Sequence, residues 1–333
     1  MSIDEFLEEW NNSSPYVHVQ TSGSTGQPKP MLAEKRRMQA SARVTCRFLG
    51  LQAGDRALLC LPLDYIAGKM MVVRALTCNL RLTSVEPSGH PLASSLPSLD
   101  FAAMVPLQVW NSLQTEEECQ RLKAIRHLII GGGAIDESLA DALKDFPHAV
   151  WSTYGMTETL SHIALRRLSG PDASDWYIPF EGVDLSLNDD GCLVIDAPQV
   201  CAERLVTNDM AELRLPQPQD GVGARPRFRI LGRRDNVVCS GGIKIQIEEV
   251  ERLLSPHLEA PFCITKRHDE RLGEALVLLT ESSQTENIEQ ICQRVLPRLW
   301  KPRSYITVSH IPMTATGKIA RREAERLASV LHS

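Results

Sequence analysis

YVHVQTSGSTGQPKPMLAEKRRMQASARVTCRFLG, residues 16–50, sets the pattern on which the rest of the chain is read. YVHVQ alternates apolar and polar side chains as a strand does. AEKRRMQASARVTCRFLG (33–50) carries the spacing of a helix, ended by Gly50. Between them lies a loop with little side-chain bulk and many donors. Thr21, Ser22, Ser24 and Thr25 offer hydroxyls, Gly23 and Gly26 let backbone N–H groups approach a ligand, and Lys29 adds a positive charge. These are the ingredients of a phosphate cradle, with a plain surface turn as the alternative. A Walker A loop is excluded, because the two glycines stand too close together and a proline precedes the lysine.

The strand–loop–helix unit recurs. RALLCLP (56–62), FAAMVP (101–106), RHLII (126–130) and AVWSTYG (149–155) read as strands, separated by helical stretches over 68–77, through Ile125 and over 137–145. Strands alternating with helices imply an α/β fold with a mostly parallel sheet, whose ligands sit at the C-terminal strand ends. From about Phe180 the texture changes to paired alternating runs around an Asn-Asp-Asp-Gly turn, an antiparallel β-rich module over 180–231. After GRRDN (232–236) come a helix with Ile247, Val250 and Leu254, strands near 261–266 and 274–280, and helices over about 285–299 and 319–331. The expected organisation is an N-terminal domain over 1–232, a hinge at 233–235 and a small α+β C-terminal domain over 236–333.

Composition narrows the partners. The 333 residues are 43% apolar and 23% charged, enough for two cores, and the net charge of −5 argues against nucleic acid or an anionic membrane. MSIDEFLEEW at the start has neither a basic nor an apolar segment, and no run reaches the roughly 18 apolar residues of a membrane span. A cytoplasmic protein with a small-molecule partner is expected. Nine cysteines are scattered singly, without metal spacing, and read as reduced small hydrophobes, Cys239 included.

TSGSTGQPK resembles the phosphate-loop motif of the adenylate-forming superfamily, which includes acyl- and aryl-CoA synthetases, luciferases and nonribosomal adenylation domains. Further motifs of that superfamily follow in order: GGGA (131–134), YGMTE (154–158), TND (207–209) in place of T-G-D, GRRDN with SGG (232–242), and PMTATGK (312–318). Taken singly, Glu158, Asp209 and Lys318 have ordinary readings as a surface acid, a turn residue and a helix-start lysine.

The resemblance implies ATP, Mg²⁺ and coenzyme A as cosubstrates and cofactors, and a reaction through an acyl-adenylate. It implies that the phosphate loop holds the nucleotide with Gly131, Gly132, Gly133, Ala134 and Gly155, that Tyr154 stacks on adenine, and that Asp209 and Arg233 bind ribose. Thr157 would contact the α-phosphate, Glu158 would bind Mg²⁺, and Lys318 would bridge acid and phosphate. Asp235 takes the hinge position, with Gly241 and Gly242 on the pantetheine channel. Those residue types suit the chemistry, since adenylation builds negative charge where anions already repel.

Within the superfamily the chain is most similar to the o-succinylbenzoate:CoA ligases of menaquinone biosynthesis. LPLDYIAGKMMVVRA (61–75), YGMTET, GRRDNVVCSGG and IQIEEVE carry that likeness. Tyr65 stands where many relatives have histidine, and the portion ahead of the phosphate loop is short. The shortening leaves the pocket either more open or completed by a second subunit, as in a homodimer. An acid with two carboxylates calls for a second cation, and Lys69, Arg74 and His162 (beside Ser161) are the candidates, each with a structural alternative on a helix face or in a loop. Two other functions stay open: a ligase for another acid or a carrier protein, and a non-catalytic nucleotide or acyl-adenylate binding module.

Overall fold

The computed structural model describes residues 1–20, 30–133, 135, 137–217, 225–314 and 318–330. The phosphate-loop residues Thr21, Ser22, Gly23, Ser24, Thr25, Gly26 and Lys29, and also Ala134, lie outside the described residues.

A helix the sequence reading missed opens the chain. In α1 (Ile3–Asn11), Ser2 caps the first turn and Glu5 returns the bond to the Ser2 backbone N–H. β1 (Tyr16–Gln20) and β2 (Pro30–Glu34) then form an antiparallel hairpin. The helix expected from Ala33 therefore begins two residues later, as α2 (Lys35–Leu49). Ala33 pairs with Val17 in the hairpin and is buried there, so tertiary pairing outcompetes the helical pattern at that end.

β3 (Arg56–Leu59), α3 (Ile66–Cys78), β4 (Arg81–Ser84), β5 (Phe101–Met104), α4 (Pro106–Leu113), α5 (Glu116–Lys123), β6 (His127–Ile130), α6 (Glu137–Lys144), β7 (Ala149–Gly155), β8 (His162–Arg167) and β9 (Ile178–Pro179) follow. Among the described residues the main sheet has seven strands in the order β4-β3-β5-β6-β7-β8-β9. Its strands from β4 to β7 run parallel, and β8 and β9 close the edge antiparallel. The expected α/β class is what the chain adopts. The helical stretch before Ile125 is split in two, because Gln114 ends α4 and Thr115 begins a new helix. Leu58, Phe101, Leu128 and Ile130 are fully buried between the sheet and its helices, as strands covered on both faces require.

β10 (Asp184–Leu187), β11 (Cys192–Asp196), β12 (Leu205–Arg214) and β13 (Arg227–Arg233) make a four-stranded antiparallel sheet closed on Phe228, Leu193 and Ile195. β14 (Val237–Ser240), β15 (Ile243–Gln246), α7 (Ile247–Leu254), β16 (Phe262–Asp269), β17 (Gly273–Thr280), α8 (Thr285–Val295), β18 (Ser304–Thr307) and α9 (Arg321–Val330) complete the chain. Their sheet has its own core of Val238, Ile245, Val250, Ile264 and Leu278. α8 stops at Val295 and not near 299, because Pro297 cannot continue a helix.

One ion pair anchors the last helix. Glu251 on α7 receives Arg321 of α9 at 2.7 and 2.6 Å through both oxygens, and one of them also accepts the Ile264 N–H at 2.8 Å. Both side chains are largely shielded from water, at 17% and 25% exposure. Glu251→Ala leaves a shielded guanidinium with the Ile264 carbonyl but no carboxylate, and the Ile264 amide without its acceptor, so unfolding free energy falls by about 2–3 kcal/mol. A urea titration checks this; a loss under about 0.5 kcal/mol refutes the anchor.

Candidate active site

The glycine-rich turn and the Tyr154 stretch leave neighbouring parallel strands at their C-terminal ends. β6 delivers Gly131, Gly132 and Gly133, with the Gly131 N–H bonded to the Met104 carbonyl at 3.0 Å. β7 delivers Tyr154 and Gly155, where the pairing with β8 slips by one residue. A Cβ on Gly155 would collide with the Ser161 carbonyl and the His162 backbone, so the close approach of β7 to the next loop excludes any side chain there.

A short 3-10 turn, Thr157–Thr159, follows. Thr159 Oγ1 accepts from the Met156 N–H at 3.0 Å and donates to the Ser161 carbonyl at 2.6 Å. That leaves Thr157 buried and Glu158 exposed. Leu160 is held in the left-handed region at φ 62° although buried, an unusual backbone for a branched side chain.

Asp209 is where the β-rich module meets this strand end. Its Oδ2 accepts the Tyr154 hydroxyl at 2.7 Å, and its Oδ1 lies 3.4 Å from Arg233 Nη1, its cross-strand neighbour on β13. Burial and the Asp209 charge push the Tyr154 phenol far above its ordinary range, so it stays a donor. The Tyr154 ring meets Phe228 edge-on and tilts against Tyr177.

Lys318 belongs to this group. Burial, and then the Arg233 charge, hold its ammonium below the ordinary lysine value, with Asp209 opposing. Its backbone is tied to Thr314, whose N–H donates to the Lys318 carbonyl at 2.7 Å and whose hydroxyl accepts the Lys318 N–H at 3.1 Å.

Asp235 is tied into a polar chain that the motif reading did not contain. Asp235 Oδ2 accepts from Arg233 at 3.3 Å and from Asn208 Nδ2 at 3.2 Å. Asn208 Oδ1 in turn accepts from Arg234 at 3.0 Å, and Arg234 pairs with Asp190 at 2.8 Å. Asn208 is the residue by which TND departs from the familiar pattern; the departure is visible in sequence, its contacts are not. Gly241 and Gly242 form the two-residue tip of the β14–β15 hairpin with φ of 57° and 83°, a turn that itself calls for glycine. Cys239, expected to pack within its strand, is exposed beside that tip.

The three proposed substrate cations part company. Lys69 is buried and turned to α1, donating to the His18 carbonyl at 2.5 Å with Glu9 3.8 Å away and the Phe6 ring beneath it. Arg74 and His162 come together on the other side. Arg74 Nη2 donates to Ser161 Oγ at 2.7 Å, and His162 Nε2 lies 3.1 Å from Thr45 Oγ1. Burial, and then the Arg74 charge, keep His162 well below 6.5, so it is a neutral hydrogen-bonding group and not a cation. Arg74 is 2% exposed, has no carboxylate partner among the described residues, and its Nε makes no hydrogen bond. A cleft between Phe48, Phe180, Arg214 and Arg227 lies elsewhere and holds none of the motif residues.

Residues 4–197 match the family described as AMP-binding enzyme. This chain belongs to that family. Among similar proteins, the 2-succinylbenzoate–CoA ligase of Salmonella typhimurium is 29% identical over 92% of this chain and 67% of its own length. The enzyme of the same name from Haemophilus influenzae is 26% identical over 91% of this chain and 69% of its own. A solved acyl-CoA synthetase (AMP-forming)/AMP-acid ligase II-like protein from Dyadobacter fermentans is 32% identical, covers 96% of this chain and 91% of its own, and superposes with a TM-score of 0.63. The fold also matches O-succinylbenzoate Coenzyme A Synthetase from Bacillus subtilis, solved with ATP and magnesium ion, at a TM-score of 0.75 and 20% identity over 92% of this chain and 69% of that one. In this AMP-binding enzyme no helix among the described residues is long and apolar enough to cross a membrane.

The depressed Lys318 gives a pH signature. If Lys318 neutralises the reacting anions, as the motif resemblance implies, its protonated form is the active one, so kcat/KM for ATP falls on the alkaline side with an apparent pKa below the ordinary 10.5. A profile flat up to 10.5 refutes the placement of Lys318 beside Arg233.

Proposed function

We propose that this AMP-binding enzyme is an ATP-dependent acid:CoA ligase, and that its acid is o-succinylbenzoate, an aryl acid with two carboxylates. The observation that carries the choice of acid is Arg74. A buried guanidinium without a carboxylate partner among the described residues is costly, and an incoming anion removes that cost. The names of the bacterial relatives point to the same substrate class. A dicarboxylate uses both ends of the site: one group reacts, and the other is held by Arg74 and Ser161.

In the first half-reaction a carboxylate oxygen attacks the α-phosphorus of ATP, and the bond to pyrophosphate breaks. In the second, the thiol of coenzyme A attacks the acyl carbon and AMP leaves. Asp209 and Arg233 are proposed to hold the ribose hydroxyls, as acceptor and donor respectively. Tyr154, its hydroxyl fixed by Asp209, would present its ring to adenine beside Gly131–Gly133. Lys318 approaches the Asp209–Arg233 pair and would steady the negative charge between acid and α-phosphate.

Glu158 suits Mg²⁺: it is an exposed carboxylate with no ion pair among the described residues, and a hard cation takes carboxylate and phosphate oxygens. When bound, the ion would neutralise phosphate charge. Residues 233–235 are proposed as the hinge between a domain over 1–232 and a lid over 236–333. The Asn208–Asp235–Arg233 contacts would hold the lid in the pose that brings in Lys318.

The test is pyrophosphate release with ATP, Mg²⁺ and a panel of o-succinylbenzoate, benzoate, succinate and medium-chain fatty acids, with and without coenzyme A. CoA-stimulated release with o-succinylbenzoate alone is expected. Release with other acids discards the substrate, and silence with ATP still bound points to the binding module. Arg74→Gln should raise KM for o-succinylbenzoate about 10- to 100-fold while sparing KM for ATP, the range expected for a charge-assisted contact. Lys318→Ala should abolish acyl-adenylate formation yet leave thioester formation from supplied acyl-adenylate; equal loss of both half-reactions would defeat the two-pose assignment.

A further inference from the structure

Two cysteines that look unrelated in sequence meet between helices. Cys46 is buried in the last third of α2, Cys78 is the half-buried last residue of α3, and the two helices pack together. Cys78 Sγ lies 3.9 Å from the carbonyl of Ala42, one turn before Cys46, and within hydrogen-bonding reach of the Cys46 thiol. The pair lies next to the proposed acid site. Arg74 precedes Cys78 by four residues and so shares its helix face, while Thr45, the neighbour of Cys46, holds His162. No step of the ligase reaction uses either thiol.

The two sulfurs are electrostatically unequal. The bond from Cys46, with help from the Arg74 and Arg43 charges, draws the Cys78 thiol below its ordinary value, and donating that bond pushes Cys46 up. Cys78 is half-buried and Cys46 buried, so a peroxide reaches the Cys78 sulfur first, which makes Cys78 the attacking and Cys46 the resolving thiol.

We propose that Cys46 and Cys78 are a redox-active pair that a peroxide converts to a disulfide across α2 and α3, and that this conversion strengthens the hold of Arg74 on the acid. Cys78 sulfur attacks the peroxide, forming an S–O bond as the O–O bond breaks and hydroxide leaves. The Cys46 sulfur then attacks that sulfenic acid; the S–S bond forms, the S–O bond breaks, and water leaves with the Cys46 proton. Two thiols lose two electrons and one hydrogen peroxide becomes two waters. The thiolate near Arg74 is an anion competing for its field, whereas a disulfide is neutral. Only the effect on the acid rests on the proposed ligase reading; the disulfide does not.

The experiment treats the intact enzyme with hydrogen peroxide, alkylates remaining thiols, and maps the peptides by mass spectrometry before and after dithiothreitol. Loss of two of the nine thiols, in a reducible Cys46–Cys78 cross-link, is expected. In Cys46→Ala, Cys78 should instead trap dimedone as a sulfenic acid. A Cys78 that alkylates as freely after peroxide as before, with oxidation confined to exposed Cys239, overturns the pair. Kinetically, oxidised wild type and reduced Cys78→Ser both lack the thiolate, and both should show KM for the acid lowered about fivefold with KM for ATP unchanged. A cross-link that forms while neither protein shifts that KM overturns the coupling to Arg74. Failure of the ligase reading would show separately, as absent turnover with the cross-link intact.

Discussion

Tyr154, Arg233 and Lys318 of the candidate site are brought together by the carboxylate of Asp209. It is touched by the main sheet, through the Tyr154 hydroxyl, and by the neighbouring β13, through Arg233. Its charge also acts on Lys318, from the segment that leads into the last helix. A carboxylate with two oxygens and several lone pairs can accept from several donors at once, so the main sheet, the four-stranded sheet and the segment before α9 meet at one side chain. The polar chain from Asp190 through Arg234, Asn208 and Asp235 extends that registration to the proposed hinge.

A second constraint is a buried cation. Arg74 is enclosed by α2, α3 and the loop after Glu158, yet among the described residues its donors reach only Ser161 and the Met71 sulfur. A fold tolerates such a group when something else compensates, and a substrate anion or a neighbouring thiolate is suited to do so. Lys69, also buried on α3, is already compensated by Glu9, the His18 carbonyl and the Phe6 ring. It joins α3 to α1 and β1, and that is a structural task. Two buried cations on one helix thus differ: Lys69 holds the fold, and Arg74 is the one proposed to meet the acid.

The strand–helix alternation was legible because parallel strands covered on both faces must be continuously apolar, as RALL, FAAM and HLII are. The hairpin at β1–β2 was not, because residues 33–34 continue a helical pattern and only pairing with Val17 and Tyr16 removes them from it. α1 was missed for a similar reason: an acidic, short segment shows little of the packing that stabilises it through Phe6.

What the sequence determined alone is the order of chemistry-bearing residues: a donor-rich loop, Tyr154 to Glu158, Asp209, Arg233 and Lys318 come in an order that identifies the family. Only the tertiary structure decided which of the equivalent-looking cations faces what. Lys69 and Arg74 are five residues apart, so they point about 140° away from each other around the helix axis. α3 is apolar and buried on nearly every side, which erases the periodicity that would have told its faces apart. The meeting of Cys46 with Cys78 and of Asn208 with Asp235 depends likewise on how separate elements pack, and local sequence carries no record of that.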